Sequence, residues 1–448
     1  MSSPPPHAIA SATELTAGLR RWILIAAFLS WFGAGTQMGL TTLLGPPAVQ
    51  ALLPAAPPDD ASAEAARTAE VGKLFADQMA ALSFGAALGG VVFGRFADRR
   101  GRSRALALSV VTYACGTGLS AASTSVAQLL ALRFVTGLGI GGTWPAAVAL
   151  AGEAWPGTAK ARVAGVIGMS ANVGILAQAL LVMYAKAHGG VPIGVDNWRQ
   201  VSLVGATPLV IGLAVALWLP ESPRWLALRT AATIEKPAAP LAALFGTSLR
   251  RRTLVGIGLA TVPLLGAWGS GKWLIPWAGT DSARTQAVWA FGAVLASAAG
   301  GYVADRFGRR ITYFVVSATT LAVNLSIYRY LTPNEPEWFL PAAFLSGVSG
   351  TIFFGWLPLY LPELFPTRVR ATGIGLTYNA GRIATGLGIL AAGQLLRHYG
   401  GSFQRVGEVT SWVYAFGMLV ILFAPSNESS SDSEESAPDK ARQDASSR

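Results

Sequence analysis

A charged nine-residue motif occurs twice in this chain, 207 positions apart. Residues 94–102 read Gly-Arg-Phe-Ala-Asp-Arg-Arg-Gly-Arg, and residues 301–309 read Gly-Tyr-Val-Ala-Asp-Arg-Phe-Gly-Arg, so six of the nine positions are identical. Each copy follows an apolar run of helix length. A repeat of this spacing predicts two homologous halves, and in a very apolar chain it predicts two halves that lie in a membrane.

The composition is that of a membrane protein. Apolar residues make up 52% of the chain, charged residues only 13%, and the mean hydropathy is +0.46, whereas a soluble domain carries about 25% charged residues. The pattern predicts an all-α integral membrane fold, with twelve transmembrane helices in two pseudo-symmetric six-helix halves. The apolar runs of about 20 residues that can cross a bilayer begin near Trp22, Phe75, Ala105, Gln128, Val163, Val201, Thr253, Thr285, Ile311, Phe339, Gly373 and Val406.

The repeat and the apolar runs predict five segments. Two six-helix halves cover residues 21–219 and 253–424, with a cytoplasmic linker, 220–252, between them. Residues 1–20 form a cytoplasmic N-terminal segment, and residues 425–448 form a disordered cytoplasmic tail rich in Ser, Asp and Glu. Because six crossings are an even number, both halves enter the membrane in the same direction, which predicts a symmetry axis along the membrane normal.

Charge in the short loops predicts the orientation. Several arginines lie between residues 95 and 104 against a single acid, Asp98, whereas the first loop on the other face carries acids such as Glu64 and Glu70. By the positive-inside rule, both termini and the linker face the cytoplasm, and the protein spans the inner or plasma membrane. The formal charge of +11 therefore reflects orientation in the lipid bilayer and not a nucleic-acid partner.

Several motifs resemble the major facilitator superfamily, over residues 21–424. Its sugar-porter, organic-acid and sialic-acid branches are the nearest. The resemblance implies a monomeric secondary transporter that moves a small organic solute by alternating access. The motifs that carry it are residues 94–104 and 301–310, Arg133 with the spaced glycines that follow it, Pro220-Glu221-Ser222-Pro223-Arg224-Trp225, and residues 363–370.

The same resemblance implies a set of gating residues at the cytoplasmic ends of the helices. Gly94 and Gly301 are expected to let helices approach closely there. Acid and arginine pairs are expected to latch the cytoplasmic side shut and to break when the halves rock. The expected pairs are Asp98 with Arg102, Asp305 with Arg309, Glu153 with Arg162, and Glu363 with Arg370.

Three cations fall inside predicted helices, where an unpaired charge costs several kcal/mol. Arg133 is expected to pair with Asp77, which is the one plausible intramembrane acid and a candidate for coupling to protons. Lys272 and Arg382 have no evident carboxylate partner, which predicts that they bind an organic anion such as a carboxylate. Snorkelling to the interface or bonding to backbone carbonyls is the alternative. The polar and aromatic side chains expected beside them are Gln37, Asn172, Trp273 and Asn379.

Other functions stay open beside anion transport. A sugar or polyol facilitator or symporter is the main alternative, followed by a drug exporter and a non-transporting sensor. The carboxylates that usually bind protons in the organic-acid branch are absent, since the fourth helix has Thr143 where that branch has a glutamate. Facilitated diffusion, exchange and coupling through Asp77 therefore all remain possible. The sequence contains no nucleotide-binding loop and no spacing typical of metal ligands. Nothing in it therefore indicates an enzyme or a cofactor.

Overall fold

The computed structural model of the protein describes residues 15–155, 159–190, 193–222, 225–226, 241–366 and 369–425. The predicted N-terminal segment lies largely outside these ranges, as do most of the predicted linker and the predicted disordered tail. The side chain of Arg162 also lies outside the described residues. The boundaries of the five predicted segments therefore stay predictions.

The described chain is helical, and its helices fall into two sets of six. The first six are α1 (Ala17–Leu52), α2 (Ala61–Arg100), α3 (Arg102–Leu119), α4 (Val126–Ala154), α5 (Ala159–Ala187) and α6 (Trp198–Trp218). The second six are α7 (Arg250–Trp277), α8 (Gly279–Phe307), α9 (Arg309–Tyr330), α10 (Pro336–Gly355), α11 (Arg370–His398) and α12 (Phe403–Leu422). The helix Leu357–Glu363 follows α10.

Eleven of these helices are long and apolar enough to cross a membrane. The twelfth, α11, has 29 residues and is long enough, but Asn379, Arg382 and Gln394 lower its hydropathy. Because α11 packs along α2 of the other half, Arg382 is buried there, whereas Asn379 is partly buried and Gln394 is exposed. The prediction of a twelve-helix, two-half membrane fold is confirmed.

The second helix starts earlier than its apolar run indicates. Asp60 caps it, since its carboxylate accepts hydrogen bonds from the backbone N–H groups of Ser62 and Ala63, both at 3.0 Å. The bond from Ala63 is the main reason that the pKa of Asp60 lies below its usual value. Glu64 and Glu70, which hydropathy places in a loop, therefore lie on the first turns of α2.

Close helix contacts recur in both halves at the offset of the sequence repeat. A Cβ atom on Gly85 of α2 would lie 2.1 Å from the carbonyl oxygen of Phe134 on α4. Gly292, 207 positions later on α8, would place a Cβ atom 2.5 Å from the carbonyl oxygen of Phe344 on α10. The second and fourth helices of each half therefore touch backbone to backbone through equivalent glycines.

The motif glycines do not make the close contacts expected of them. A Cβ atom on Gly94 would have no neighbour within 4 Å, and one on Gly301 would meet the carbonyl oxygen of Gly355 at an ordinary 3.4 Å. The expectation that these two glycines bring helices together is therefore wrong for this structure. In the first half the tight approach lies deeper in the bilayer, at Gly85 and Gly89, and in the second half it lies at Gly300, next to the motif.

The two halves meet along two seams, α2 against α11 and α5 against α8. We call the end of the bundle with Asp98 and Asp305 the motif end, and the other end the opposite end. At the opposite end, Nε of Arg397 lies 3.6 Å from a carboxylate oxygen of Glu70. Phe75 of the first half also packs edge-on against Trp273 of the second, with ring centroids 6.0 Å apart. These contacts join the halves at the opposite end.

Candidate substrate site

A cavity of about 150 Å³ lies between the two halves. Helices from both halves line it, and most of its wall is apolar or aromatic. Pockets of this composition, with a few convergent polar groups, are typical of small-molecule sites. Its aromatic, polar and charged lining residues include Trp31, Asn172 and Trp144 from the first half and Trp268, Lys272, Trp289, Tyr378 and Arg382 from the second.

A break in α7 places Lys272 in this cavity. The helix stops at Gly269, and the φ/ψ of Ser270, −133° and −64°, are not helical. The Ser270 hydroxyl is held from two sides, since it lies 2.7 Å from the Ser411 hydroxyl and accepts a bond of 3.1 Å from Nδ2 of Asn324. The chain resumes as a short turn that includes Lys272. Buried polar contacts thus hold the break that aims this lysine.

The Lys272 side chain is buried and has no carboxylate beside it. Its exposed fraction is 2%, and its Nζ makes no hydrogen bond to the described residues. Nζ lies 4.2 Å from the centroid of the Trp289 ring, a geometry in which the ring face attracts a cation. None of the described residues that line the cavity is acidic.

Arg382 lines the same cavity from α11. One of its terminal nitrogens donates a 2.9 Å hydrogen bond to the backbone carbonyl of Ala86, on α2 of the other half. Its guanidinium carbon lies 5.0 Å from the Tyr378 ring centroid. The sequence left open that the two cations bond to backbone carbonyls and not to an anion. Arg382 makes one such bond, whereas Lys272 makes none to the described residues.

Of the four side chains expected beside the cations, the structure brings one into the cavity lining. Asn172 lines it, and its Nδ2 donates to the Ser297 hydroxyl at 2.9 Å across the α5–α8 seam. Gln37 instead donates to the carbonyl of Gly205 at 2.8 Å, within the first half. Asn379 donates to its own helix at Gly375.

Trp273 is also outside the lining. It is fully buried, its indole nitrogen donates to the carbonyl of Gly269, and its ring stacks on Phe403 with centroids 6.0 Å apart. Sequence spacing places Lys272 and Trp273 together, yet adjacent residues on a helical turn point in different directions. The lysine therefore faces the cavity while the tryptophan packs in the core of the opposite end.

The predicted pair of Asp77 with Arg133 is wrong. The Asp77 carboxylate lies 2.7 Å from Nζ of Lys73, one turn earlier on the same helix. Arg133 is fully buried, and none of its three side-chain nitrogens has a hydrogen-bond partner in the described chain. The prediction rested on the similar depth of Asp77 and Arg133 in the bilayer. Lys73 and Asp77, however, are four residues apart on one helix and therefore lie side by side.

At the motif end of the first half, Arg102 organises the charged cluster. Its guanidinium lies 3.2 Å from Asp98 and 3.5 Å from Glu153. Glu221, the second residue of the predicted linker, accepts bonds from the backbone nitrogens of Arg102 at 2.7 Å and Ser103 at 3.1 Å. This carboxylate therefore caps the N-terminus of α3.

The second half repeats the arrangement with one difference from the predicted pairs. Arg309 lies 2.6 Å from Asp305 and 3.3 Å from Glu363. Arg370, the expected partner of Glu363, instead donates to the carbonyl of Phe365 at 3.3 Å. In the described part of the chain, no contact of either cluster joins the two halves, since the partners lie in the same half or, for Glu221, in the predicted linker. The gating roles of these residues stay predictions.

Sequence reasoning missed an amide contact between the halves. Gln286 on α8 is fully buried, and its Nε2 donates to Oε1 of Gln178 on α5 at 2.7 Å. Its Oε1 accepts a bond from the Thr42 hydroxyl on α1. An isolated amide inside an apolar run is the signal that could have found it, because lipid offers an amide no partner.

Family models match both halves of the chain. The model described as sugar (and other) transporter matches residues 61–260, and the major facilitator superfamily model matches residues 277–426. A solved structure of an Escherichia coli xylose transporter, in a partially occluded inward open conformation, aligns with a TM-score of 0.67 at 17% identity, over 91% of this chain and 97% of that one. At this identity the likeness supports the fold alone.

Curated relatives point to the same family. An inner membrane metabolite transport protein of Escherichia coli (strain K12) is 30% identical over 319 residues, which are 66% of this chain and 71% of that protein. A cis,cis-muconate transport protein of Acinetobacter baylyi is 28% identical over 329 residues, 69% of this chain and 76% of that protein. Together with two six-helix halves around a central cavity, these matches show that the chain is a multi-pass membrane transporter that belongs to the major facilitator superfamily.

Proposed function

We propose that the protein transports a small organic anion, a carboxylate, which binds between the halves at Lys272 and Arg382. One observation carries the proposal. The Lys272 ammonium lies buried in the central cavity with no hydrogen-bond partner and no acid among the described lining residues. A charge in such a place costs several kcal/mol unless it is compensated, and a bound carboxylate compensates it.

Arg382 adds a second contact for the same anion. A guanidinium carries five N–H donors in a planar fork, and its bond to Ala86 uses one of its two terminal nitrogens. The remaining donors match the two oxygens of a carboxylate. Two cations from different helices are thus available to one ligand without a competing acid.

The relatives add limited support. The muconate transport protein of Acinetobacter baylyi is named for an organic carboxylate, and a carboxylate is an anion that cavity cations can bind. The runner-up is a sugar or polyol facilitator, which the match to the sugar (and other) transporter model favours. A neutral polyol would leave both cations uncompensated, so we rank it second.

Solute counterflow in reconstituted vesicles tests the proposal. We expect vesicles preloaded with muconate or benzoate to accumulate the labelled acid, and xylose, sorbitol and glucose to leave that uptake unchanged. Vesicles without protein are the control, and an imposed pH gradient shows whether protons move with the anion. If only neutral solutes exchange, the carboxylate proposal is wrong and the sugar facilitator takes its place.

We infer that the protein works by alternating access, with the motif end facing the cytoplasm. The arginine-rich loop between α2 and α3 supports this orientation through the positive-inside rule. The contacts described above close the opposite end, which would then face away from the cytoplasm. Of the polar ones, the Gln286 amide is the best candidate for a gate, because it bonds to α1 and α5 of the first half at once.

Gln286→Leu should therefore loosen the opposite end. Hydrogen bonds between membrane helices contribute about 0.6 to 1.7 kcal/mol, so the ratio of open to closed protein should rise roughly 3- to 18-fold. The measurement is the labelling of a cysteine that replaces Ala69, which is buried beside Gly401 at the opposite end. Cys115 is first replaced by Ala, so that the probe is the only cysteine. The control is Gln128→Leu, since Gln128 bonds only locally, to Thr124. Equal labelling of the two variants would show that the amide is no gate.

A further inference from the structure

We propose that the transported anion is a planar aromatic acid, whose ring stacks on Trp31 and Trp144 of the first half. Its carboxylate then faces Lys272 and Arg382 of the second half. This inference rests on the proposed function and names the class of anion. It assigns charge recognition to one half of the protein and ring recognition to the other.

The charges in the cavity all come from one half. Lys272 belongs to α7 and Arg382 to α11, both in the second half. The described lining residues of the first half are uncharged. A ligand that spans the cavity therefore meets cations on one side and an uncharged wall on the other, so it should itself have one charged end and one apolar end.

Two pairs of rings in the lining differ in what covers them. In the second half, Lys272 lies over Trp289 and Arg382 lies over Tyr378, so these rings already hold cations. In the first half, Trp31 and Trp144 contact each other, with ring centroids 5.2 Å apart and planes tilted by 49°. Both are only partly buried and line the cavity. Their ring surfaces are thus available to a planar ligand.

The Asn172 amide and the Ser83 hydroxyl of the first-half wall each already donate a hydrogen bond. Asn172 donates to Ser297 at 2.9 Å, and the Ser83 hydroxyl donates to the backbone carbonyl of Arg382 at 3.0 Å. A polyhydroxy acid would bring hydroxyl groups to a wall with few free partners, and unpaired polar groups weaken binding. A flat ring needs no such partners, and apolar cavities of about 150 Å³ admit benzene.

Binding of two acids of equal charge and carbon number tests the proposal. We expect the purified protein to bind benzoate more tightly than cyclohexanecarboxylate, by roughly 2- to 13-fold if a ring–ring contact is the difference. Gluconate should bind more weakly than either. Calorimetry measures all three affinities directly on the full chain.

Variants then assign the preference to the first-half rings. In Trp144→Leu, the ratio of the affinity for benzoate to the affinity for cyclohexanecarboxylate should fall close to one. In Trp144→Phe, this ratio should stay as in the native protein. The control is Trp218→Leu, because Trp218 lies at the end of α6 and is 67% exposed, so its loss should leave the preference unchanged. Elution as a single size-exclusion peak verifies that each variant is folded.

The outcomes separate this inference from the proposed function. If both cyclic acids bind the native protein equally well, or if Trp144→Leu retains the full preference, the ring assignment is wrong and carboxylate transport still stands. If benzoate, cyclohexanecarboxylate and gluconate all fail to bind while a neutral sugar binds, both proposals fall together.

Discussion

Lys272→Gln and Arg382→Gln should each weaken carboxylate binding by roughly 10- to 150-fold. The estimate takes the loss of one charge-assisted hydrogen bond as about 1.5 to 3 kcal/mol. Lys272 should show the larger effect of the two, because its Nζ has no hydrogen-bond partner among the described residues, whereas Arg382 also bonds to Ala86. Glutamine keeps a polar side chain of useful length, so the change removes charge with little change in packing.

The measurement is the affinity for benzoate by calorimetry, together with the half-saturating concentration in counterflow. Lys186→Gln is the matched control, because Lys186 is an exposed cation near the end of α5 and lies outside the cavity lining. The control should bind benzoate as the native protein does. Unchanged affinity in both cavity variants would overturn the anion proposal, and competition by neutral polyols would favour the sugar facilitator instead.

Gly85→Ala should strongly destabilise the fold, whereas Gly94→Ala on the same helix should be tolerated. A methyl group on Gly85 would lie 2.1 Å from the carbonyl oxygen of Phe134, while one on Gly94 would meet no atom within 4 Å. Overpacking costs about 1 to 3 kcal/mol, and a backbone atom on a crossing helix cannot rotate away as a side chain can. The unfolded fraction should therefore rise roughly 5- to 150-fold.

The readout is the apparent unfolding temperature of the detergent-purified protein and its yield as a single size-exclusion peak. Gly292→Ala should reproduce the loss in the second half, because it meets the carbonyl oxygen of Phe344 at 2.5 Å. Equal stability of the Gly85 and Gly94 variants would show that α2 and α4 can separate at low cost. Equal loss in both would point to a shared cause other than the close contact. Helix propensity is not that cause, because Ala favours a helix more than Gly does.

The fold could be predicted because its signals are local. Apolar length indicated the membrane helices, and the repeated motif indicated two equivalent halves. The early start of α2 escaped hydropathy because an Asp60 cap and helix-forming residues, not apolar ones, build its first turns. The break in α7 depends on the polar contacts of Ser270 with Asn324 and Ser411, which join residues far apart in the chain, so no local signal reports them.

The sequence alone determined the membrane fold, the two halves and the three helix cations, because apolar runs and embedded charges can be read one helix at a time. Only the tertiary structure decided which of these cations share a cavity. Lys272 and Arg382 line it, whereas Arg133 is buried elsewhere and Asp77 pairs with Lys73. The physical reason is that depth follows from position along a helix, while the direction of a side chain depends on the rotation of that helix against its neighbours.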